Sequence, residues 1–169
     1  ASMFDIESAR KRVIVTRSFS KGYSMTGFRI GYVAAPEEII ATLSKIQSHL
    51  NGNVCTFAQY GALAALSLDG HWLSARLSEL QQKRDMAFQY VSKLFDCIKP
   101  QGAFYLFPDV SAVLKADETS EALAERLLKQ VGVAVVGGEA FGMPTHLRIS
   151  FAVSEENLKN GLEQIAEVL

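Results

Sequence analysis

Ser18-Phe19-Ser20-Lys21-Gly22-Tyr23-Ser24-Met25-Thr26-Gly27-Phe28-Arg29-Ile30-Gly31-Tyr32 is the stretch from which the fold and chemistry of this 169-residue chain are read. The β-rich run Val13-Ile14-Val15-Thr16 precedes it. That run predicts a strand at about 12 to 17 and puts Lys21 just past its carboxyl end, where open α/β sheets place their ligands. Lysine forms Schiff bases with carbonyl compounds when its amine is held neutral by desolvation or by a nearby cation. Phe19, Tyr23 and Met25 are its apolar neighbours in sequence, and Arg29 is the cation. Arg29-Ile30-Gly31-Tyr32-Val33-Ala34 reads as a second alternating strand, about 29 to 35, whose Arg29, Gly31 and Val33 share a face that looks back toward Lys21.

Guanidinium groups bind phosphate oxygens through paired charge-assisted bonds, and Ser18 and Ser20 add hydroxyl donors. An amine beside an anion clamp suits an aldehyde cofactor that carries a phosphate. The block resembles the lysine signature of the class I and II pyridoxal-phosphate-dependent aminotransferases, Ser-x-Ser-Lys followed by Gly-x-Arg-x-Gly, and it includes Met25-Thr26-Gly27 and Gly31. The resemblance implies that Lys21 forms the Schiff base with pyridoxal 5'-phosphate and is the catalytic residue. It also implies that Ser18, Ser20 and Arg29 bind the cofactor with it.

The resemblance continues to the end of the chain. Pro100-x-Gly102-Ala103-Phe104-Tyr105-Leu106-Phe107-Pro108 is similar to the family's strand entry into its small domain. Gly132 to Val136, Phe141-Gly142 and Leu147-Arg148-Ile149-Ser150-Phe151-Ala152 are similar to its C-terminal substrate-binding stretch. In that stretch an arginine holds the amino acid's α-carboxylate, and the position falls on Arg148. Alternation between His146 and Ala152 puts Leu147, Ile149 and Phe151 on one face and leaves His146, Arg148 and Ser150 on the other, where an arginine suits bidentate carboxylate capture. One departure stands out: the family usually has Pro-Gly after the valine strand, and this chain has Gly137-Gly138, which predicts a looser loop. Phe104 and Tyr105 either border the substrate, as in the family, or belong to the core, as strand aromatics do.

The implied fold class is α/β, the C-terminal part of the pyridoxal-phosphate-dependent transferase fold, made of the end of the large-domain sheet and a small α/β domain. The residues divide accordingly into 1–71 for the cofactor-binding large domain, 72–97 for a linking helix and 98–169 for the small domain. Pro36-Glu37-Glu38 starts a helix striped by Ile39, Leu43, Ile46 and Leu50, which Gly52 ends. Thr56-x-x-Gln59 reads as a capping box for a second helix, which runs to Asp69-Gly70. A long helix at about 72 to 97 follows, with Leu73, Leu77, Leu80, Ala87, Val91 and Leu94 as a packing stripe. The small domain is expected to hold a strand near 103 to 107, a helix at about 119 to 131, strands near 133 to 136 and 146 to 152, and a last helix from Ser154 to Leu169 striped by Leu158, Leu162 and Ile165.

Composition fits a globular enzyme, with 49% hydrophobic and 21% charged residues. A formal net charge of -1 gives no nucleic-acid footprint and no polybasic membrane patch. Cys55 and Cys97 lack metal-ligand spacing and read as reduced thiols, and His49, His71 and His146 show no metal spacing to one another, so no metal is expected. No apolar run reaches membrane-spanning length, and Ala1 to Glu7 lacks the basic start and apolar core of a leader, which together predict a soluble cytoplasmic protein.

The family's N-terminal half supplies an acid for the pyridine nitrogen, an aromatic that stacks on the ring and a further phosphate-binding turn. This chain has no counterpart to them, so it is expected to be inactive alone, with sheet edges that another chain or self-association covers. The resemblance implies α-amino acid and 2-oxo acid substrates and a homodimer. Taken singly, Lys21, Arg29 and Arg148 read as surface or ion-pair cations; the joint pattern favours the site. Lyases and synthases on the same fold share these residues, and a non-catalytic binding or regulatory module on the same fold is a further reading. Ser18-x-x-Lys21 also fits the serine acyl-enzyme motif, but the Ser-Asp-Asn and Lys-Thr-Gly elements it needs are absent, and Ser18 ends a strand pattern where that serine opens a helix.

Overall fold

The computed structural model describes residues 3–169, so the leader reading at Ala1 and Ser2 lies outside the described residues. The chain divides into two compact units, one up to Ser74 and one from Ala75 onward.

In the first unit, β1 (Val15–Ser18) pairs antiparallel with β2 (Gly31–Ala34), with Ser18 opposite Gly31 and Val15 opposite Ala34. Both strands are shorter than the alternation predicts. Between them lie the single-turn α1 (Phe19–Gly22) and a 3₁₀ turn at Thr26–Phe28. Gly31 is there because of close approach: a Cβ on it would stand 2.5 Å from the Arg17 carbonyl oxygen. The helix α2 (Glu37–Leu50) begins after Pro36 with two acids in its first turn, and α3 (Thr56–Leu66) follows.

The expected capping box at α3 does not form. Thr56 is already helical and Cys55 takes the cap position, so the Gln59 amide donates to the Val54 carbonyl at 2.9 Å instead of closing on the chain start. The core of this unit is small, comprising Phe19, Met25, Ala62 and Ala65. The α2 stripe is correspondingly shallow, with Ile46 and Leu50 exposed, and α3 exposes Phe57, Tyr60, Leu63 and Leu66.

The unit boundary falls inside α4 (Gly70–Leu94), whose start is capped by Asp69 accepting from the Trp72 amide at 3.1 Å. The predicted packing stripe holds only in part. Leu80, Ala87 and Val91 join the core of the second unit, while Leu73, Leu77 and Leu94 are exposed. The helix stops at Leu94, before the predicted 97, as Phe95 turns into the core and Asp96 bridges to Asp109.

The second unit builds a three-stranded antiparallel sheet in the order β3 (Tyr105–Leu106), β5 (Leu147–Ser150), β4 (Val136–Gly137). Two amphipathic helices pack with it. In α5 (Ser120–Val131), Thr119 accepts from the Ala122 amide, Leu123, Ala124 and Leu127 are buried, and Gly132 ends the helix at φ 69°. In α6 (Glu155–Val168), Ser154 caps the Asn157 amide and Leu158, Leu162 and Ile165 are buried. Among the described residues no helix is long and apolar enough to cross a membrane.

Overpacking at a backbone contact costs about 1–3 kcal/mol. Gly31→Ala is therefore expected to lower the stability of the first unit by that amount, read as a shift in its urea midpoint. Leu123→Ala in the second core is expected to cost about 2–5 kcal/mol, whereas Leu77→Ala stays within roughly 0.5 kcal/mol.

Candidate functional site

Pairing of Ser18 with Gly31 brings the end of β1 against the start of β2, and the Phe19 amide extends the contact by donating to the Ile30 carbonyl at 3.2 Å. Ser18 ends β1, Ser20 and Lys21 lie in α1, and Arg29 follows the 3₁₀ turn, so all four lie at or between the two paired strand ends. Ser18 both ends the strand and caps α1, its hydroxyl oxygen accepting from the Ser20 amide at 3.1 Å. It does open a helical turn, so only the absent downstream elements argue against the acyl-enzyme motif.

Two expectations fail here. Arg29 is not a strand residue: it closes the 3₁₀ turn in the left-handed region, at φ 51° and ψ 49°, and donates to the Thr26 carbonyl at 3.2 Å. Its turn reverses the chain before Gly31 can enter the ladder, so Arg29, Gly31 and Val33 do not share a face. Nor is Lys21 enclosed by its apolar sequence neighbours. On α1 Phe19 turns into the core and Met25 follows it, while Lys21, two residues round the helical turn from Phe19, is exposed. Desolvation of its amine is not provided by these neighbours.

The turn is strained and held. Ser24 at φ 55° and Arg29 are both left-handed non-glycine residues, each unfavourable by about 1–2 kcal/mol. Met25 is buried, and the Phe28 ring lies over Gly61 of α3, where a Cβ would come within 2.7 Å of it.

Arg148 is carried by β5 of the second unit. Leu147, Ile149 and Phe151 are buried as the alternation predicts, which leaves Arg148 half-buried on the opposite face. Its guanidinium carbon lies 4.6 Å from the centroid of Tyr105 and 4.7 Å from that of Phe141. Tyr105, opposite Ser150 on β3, therefore touches the candidate arginine, and Phe104 packs against the core. No carboxylate among the described residues pairs with Arg148, in contrast to Arg126, which is bidentate on Glu118 at 2.8 and 3.1 Å.

Gly137-Gly138 does not loosen its loop. Both residues are buried; a Cβ on Gly137 would lie 2.8 Å from the Glu121 backbone, and one on Gly138 would collide with the Met143 and His146 carbonyls. Sequence reasoning singled out Phe141 only within the Phe141-Gly142 pair of the resemblance, and it missed Ser120 and Glu139. Their contacts span some eighteen residues, and only the aromatic before Gly142 gave a local signal. His146 packs beside Phe107, with ring centroids 4.9 Å apart, and among the described residues no cluster suits a metal ion.

The model of the family described as aminotransferase class I and II matches residues 3–165. The chain belongs to that family. It is 42% identical over 167 residues to the "Probable aspartate/prephenate aminotransferase" of Aquifex aeolicus, covering 96% of this chain and 42% of that protein. Among solved structures it superposes on the aspartate aminotransferase of Thermotoga maritima with a TM-score of 0.88 at 35% identity, covering 99% of this chain and 43% of that one. It superposes on the aromatic aminotransferase of Pyrococcus horikoshii with a TM-score of 0.91 at 34% identity, covering 99% and 46%. The chain thus spans under half the length of the relatives it matches, and its α/β architecture corresponds to part of the transferase fold.

Glycine adopts the left-handed region without strain. Arg29→Gly is therefore expected to leave the first unit's thermal midpoint unchanged or slightly raised while removing its guanidinium. A clear drop in the midpoint would mean that the Arg29 side chain holds the turn.

The Glu139 carboxyl is held below its usual range, chiefly by the Ser120 hydroxyl and further by backbone amides, against an opposing desolvation. A depressed carboxyl adds stability above its unfolded pKa of about 4.3 and loses it as pH falls through the lower folded value. The difference in thermal midpoint between the parent chain and Glu139→Gln is thus expected to be present at neutral pH and to vanish on acidification below about pH 4.

Proposed function

We propose that the protein is a pyridoxal-phosphate-dependent aminotransferase that moves an amino group between an α-amino acid and a 2-oxo acid. The observation that supports this reading is the Ser18–Gly31 pairing, which bounds a segment carrying two hydroxyls, a primary amine and a guanidinium, in a chain of this family. The donor chemistry fits the cofactor. Ser18, Ser20 and Arg29 suit a phosphate dianion, and Lys21 brings a primary amine that can condense with a carbonyl.

When bound, the cofactor supplies an aldehyde for amine exchange and an electron-withdrawing ring. The remaining roles fall to the chain. Arg29 offers paired N–H groups to the phosphate from a backbone already fixed by its turn. Nζ of Lys21 is the group that takes the substrate's α-proton and returns it. Arg148 binds the α-carboxylate through its edge N–H groups, which orients the bond to be broken.

Residues 1–71, 72–97 and 98–169 are assigned to the large domain, the link between domains, in which α4 ends at Leu94, and the small domain of this enzyme. The exposed apolar faces of α2 and α3 support a working form in which further protein, including a second subunit of a homodimer, covers the first unit. A cytoplasmic location agrees with the two free thiols.

Borohydride reduction in the presence of pyridoxal phosphate, followed by digestion and mass spectrometry, is expected to place a phosphopyridoxyl group on Lys21. A label confined to other lysines overturns the assignment. Arg29→Ala is expected to weaken cofactor retention by roughly ten- to a hundredfold. Arg148→Ala is expected to retain the cofactor and lower kcat/KM for every α-amino acid tested. Equal cofactor loss in both variants would contradict this division of roles.

A further inference from the structure

Arg148 is flanked by rings that arrive from the two strands on opposite sides of β5: Tyr105 from β3, and Phe141 from the turn that follows β4. Tyr105 is fixed by the ladder itself, being paired with Ser150. Phe141 is not in a strand and is 46% exposed, so its position depends on what holds its turn.

The ladder holds the start of that turn, the Gly138 amide donating to the His146 carbonyl at 2.8 Å, and a second hold comes from Glu139, two residues before Phe141 on the same 3₁₀ turn (Gly138–Phe141). Its carboxylate accepts from the Ser120 hydroxyl at 2.5 Å and from the Glu121 amide at 3.2 Å, at the start of α5. The Ser120 oxygen, fully buried, accepts in turn from the Gly138 amide at 2.9 Å. Gly137 makes room for this arrangement, because a Cβ there would stand 2.6 Å from Glu139 Oε2. Phe107 meets the Phe141 ring in a T-shaped contact, with centroids 5.9 Å apart.

Helix initiation does not require Glu139. Thr119 already caps α5, and Glu139 lies outside the helix, so what the carboxylate adds is attachment of the turn.

We propose that Glu139 and Phe141 are positioning residues for Arg148, the carboxylate anchoring the turn and the ring holding the guanidinium so that its edge N–H groups stay free for a carboxylate. The proposal rests on reading Arg148 as the carboxylate-binding residue. Aromatic faces attract a guanidinium without occupying the N–H groups that a carboxylate needs.

The first test is spectroscopic and uses the 169-residue chain. The Arg148 Nε–Hε resonance is expected to be displaced by the ring currents of Tyr105 and Phe141. Phe141→Leu, a change at an exposed ring that leaves the core intact, is expected to move it toward the value of a free arginine. Glu139→Ala is expected to move it the same way, and Phe141→Tyr to restore it. The second test uses the cofactor-loaded enzyme. Phe141→Leu and Glu139→Ala are expected to raise KM for aspartate roughly fivefold, with kcat within about twofold of the parent.

An Arg148 resonance unmoved in Phe141→Leu overturns the proposal, as does an unchanged KM in that variant when Arg148→Ala raises it. If Arg148→Ala itself leaves KM unchanged, the carboxylate reading fails, whatever the resonance does.

Discussion

A short strand that buries Leu147, Ile149 and Phe151 has to turn Arg148 the other way, and the second unit is arranged around that constraint. The three apolar side chains meet Leu123 and Leu127 of α5 and Leu158, Leu162 and Ile165 of α6 in one core. Moving the register by one residue would bring a guanidinium into that core, at a desolvation cost far above any gain in packing. Burial of the odd positions thus fixes the arginine's side of the sheet, and β3 and β4, pairing on either edge, determine which aromatic side chains reach it.

The first unit is governed by backbone proximity more than by burial. With no Cβ at Gly31, β2 can close on the Arg17 carbonyl, and the chain between the two strands has to reverse to reach that pairing. It reverses through a 3₁₀ turn that ends in left-handed Arg29. The strain is offset by burial of Met25 and by the seat that Gly61 gives to Phe28. Strained non-glycine residues persist only where the surroundings over-determine them. A small core around Phe19 and Met25 is enough here because it acts on the turn itself.

Legibility of these features in the sequence followed the range of the interactions. The spans of α5 and α6 and the Leu158, Leu162 and Ile165 stripe are legible because such patterns are local signals, while the Thr119 and Ser154 caps come from the structure. The polar face that carries Arg148 is legible in the same way. The strand run through Arg29 was misread because alternation alone does not register a turn whose exit is left-handed. The enclosure of Lys21 was misread because neighbours in sequence are not neighbours on a helical turn. Leu73 and Leu77 share the stripe of Leu80 in sequence but are exposed, which periodicity cannot report. Gly137-Gly138 looked like freedom and is close packing, since the Glu121 backbone and the Met143 and His146 carbonyls that crowd it come from elsewhere in the chain.

The role proposed for Arg148, binding a substrate's carboxylate, poses a problem of its own. Held by an acid of the protein, as Arg126 is held by Glu118, it is well oriented but already satisfied, and an incoming carboxylate must first displace its partner. Left without contacts, it keeps its full rotamer freedom and loses that entropy on binding. Two rings at 4.6 and 4.7 Å avoid both costs, because they constrain the guanidinium while its donors stay available. The acid that the arrangement does require, Glu139, spends its charge on the Ser120 hydroxyl and the Glu121 amide and so does not compete for Arg148. Separating the group that orients from the group that would neutralise lets a half-buried cation remain both ordered and receptive.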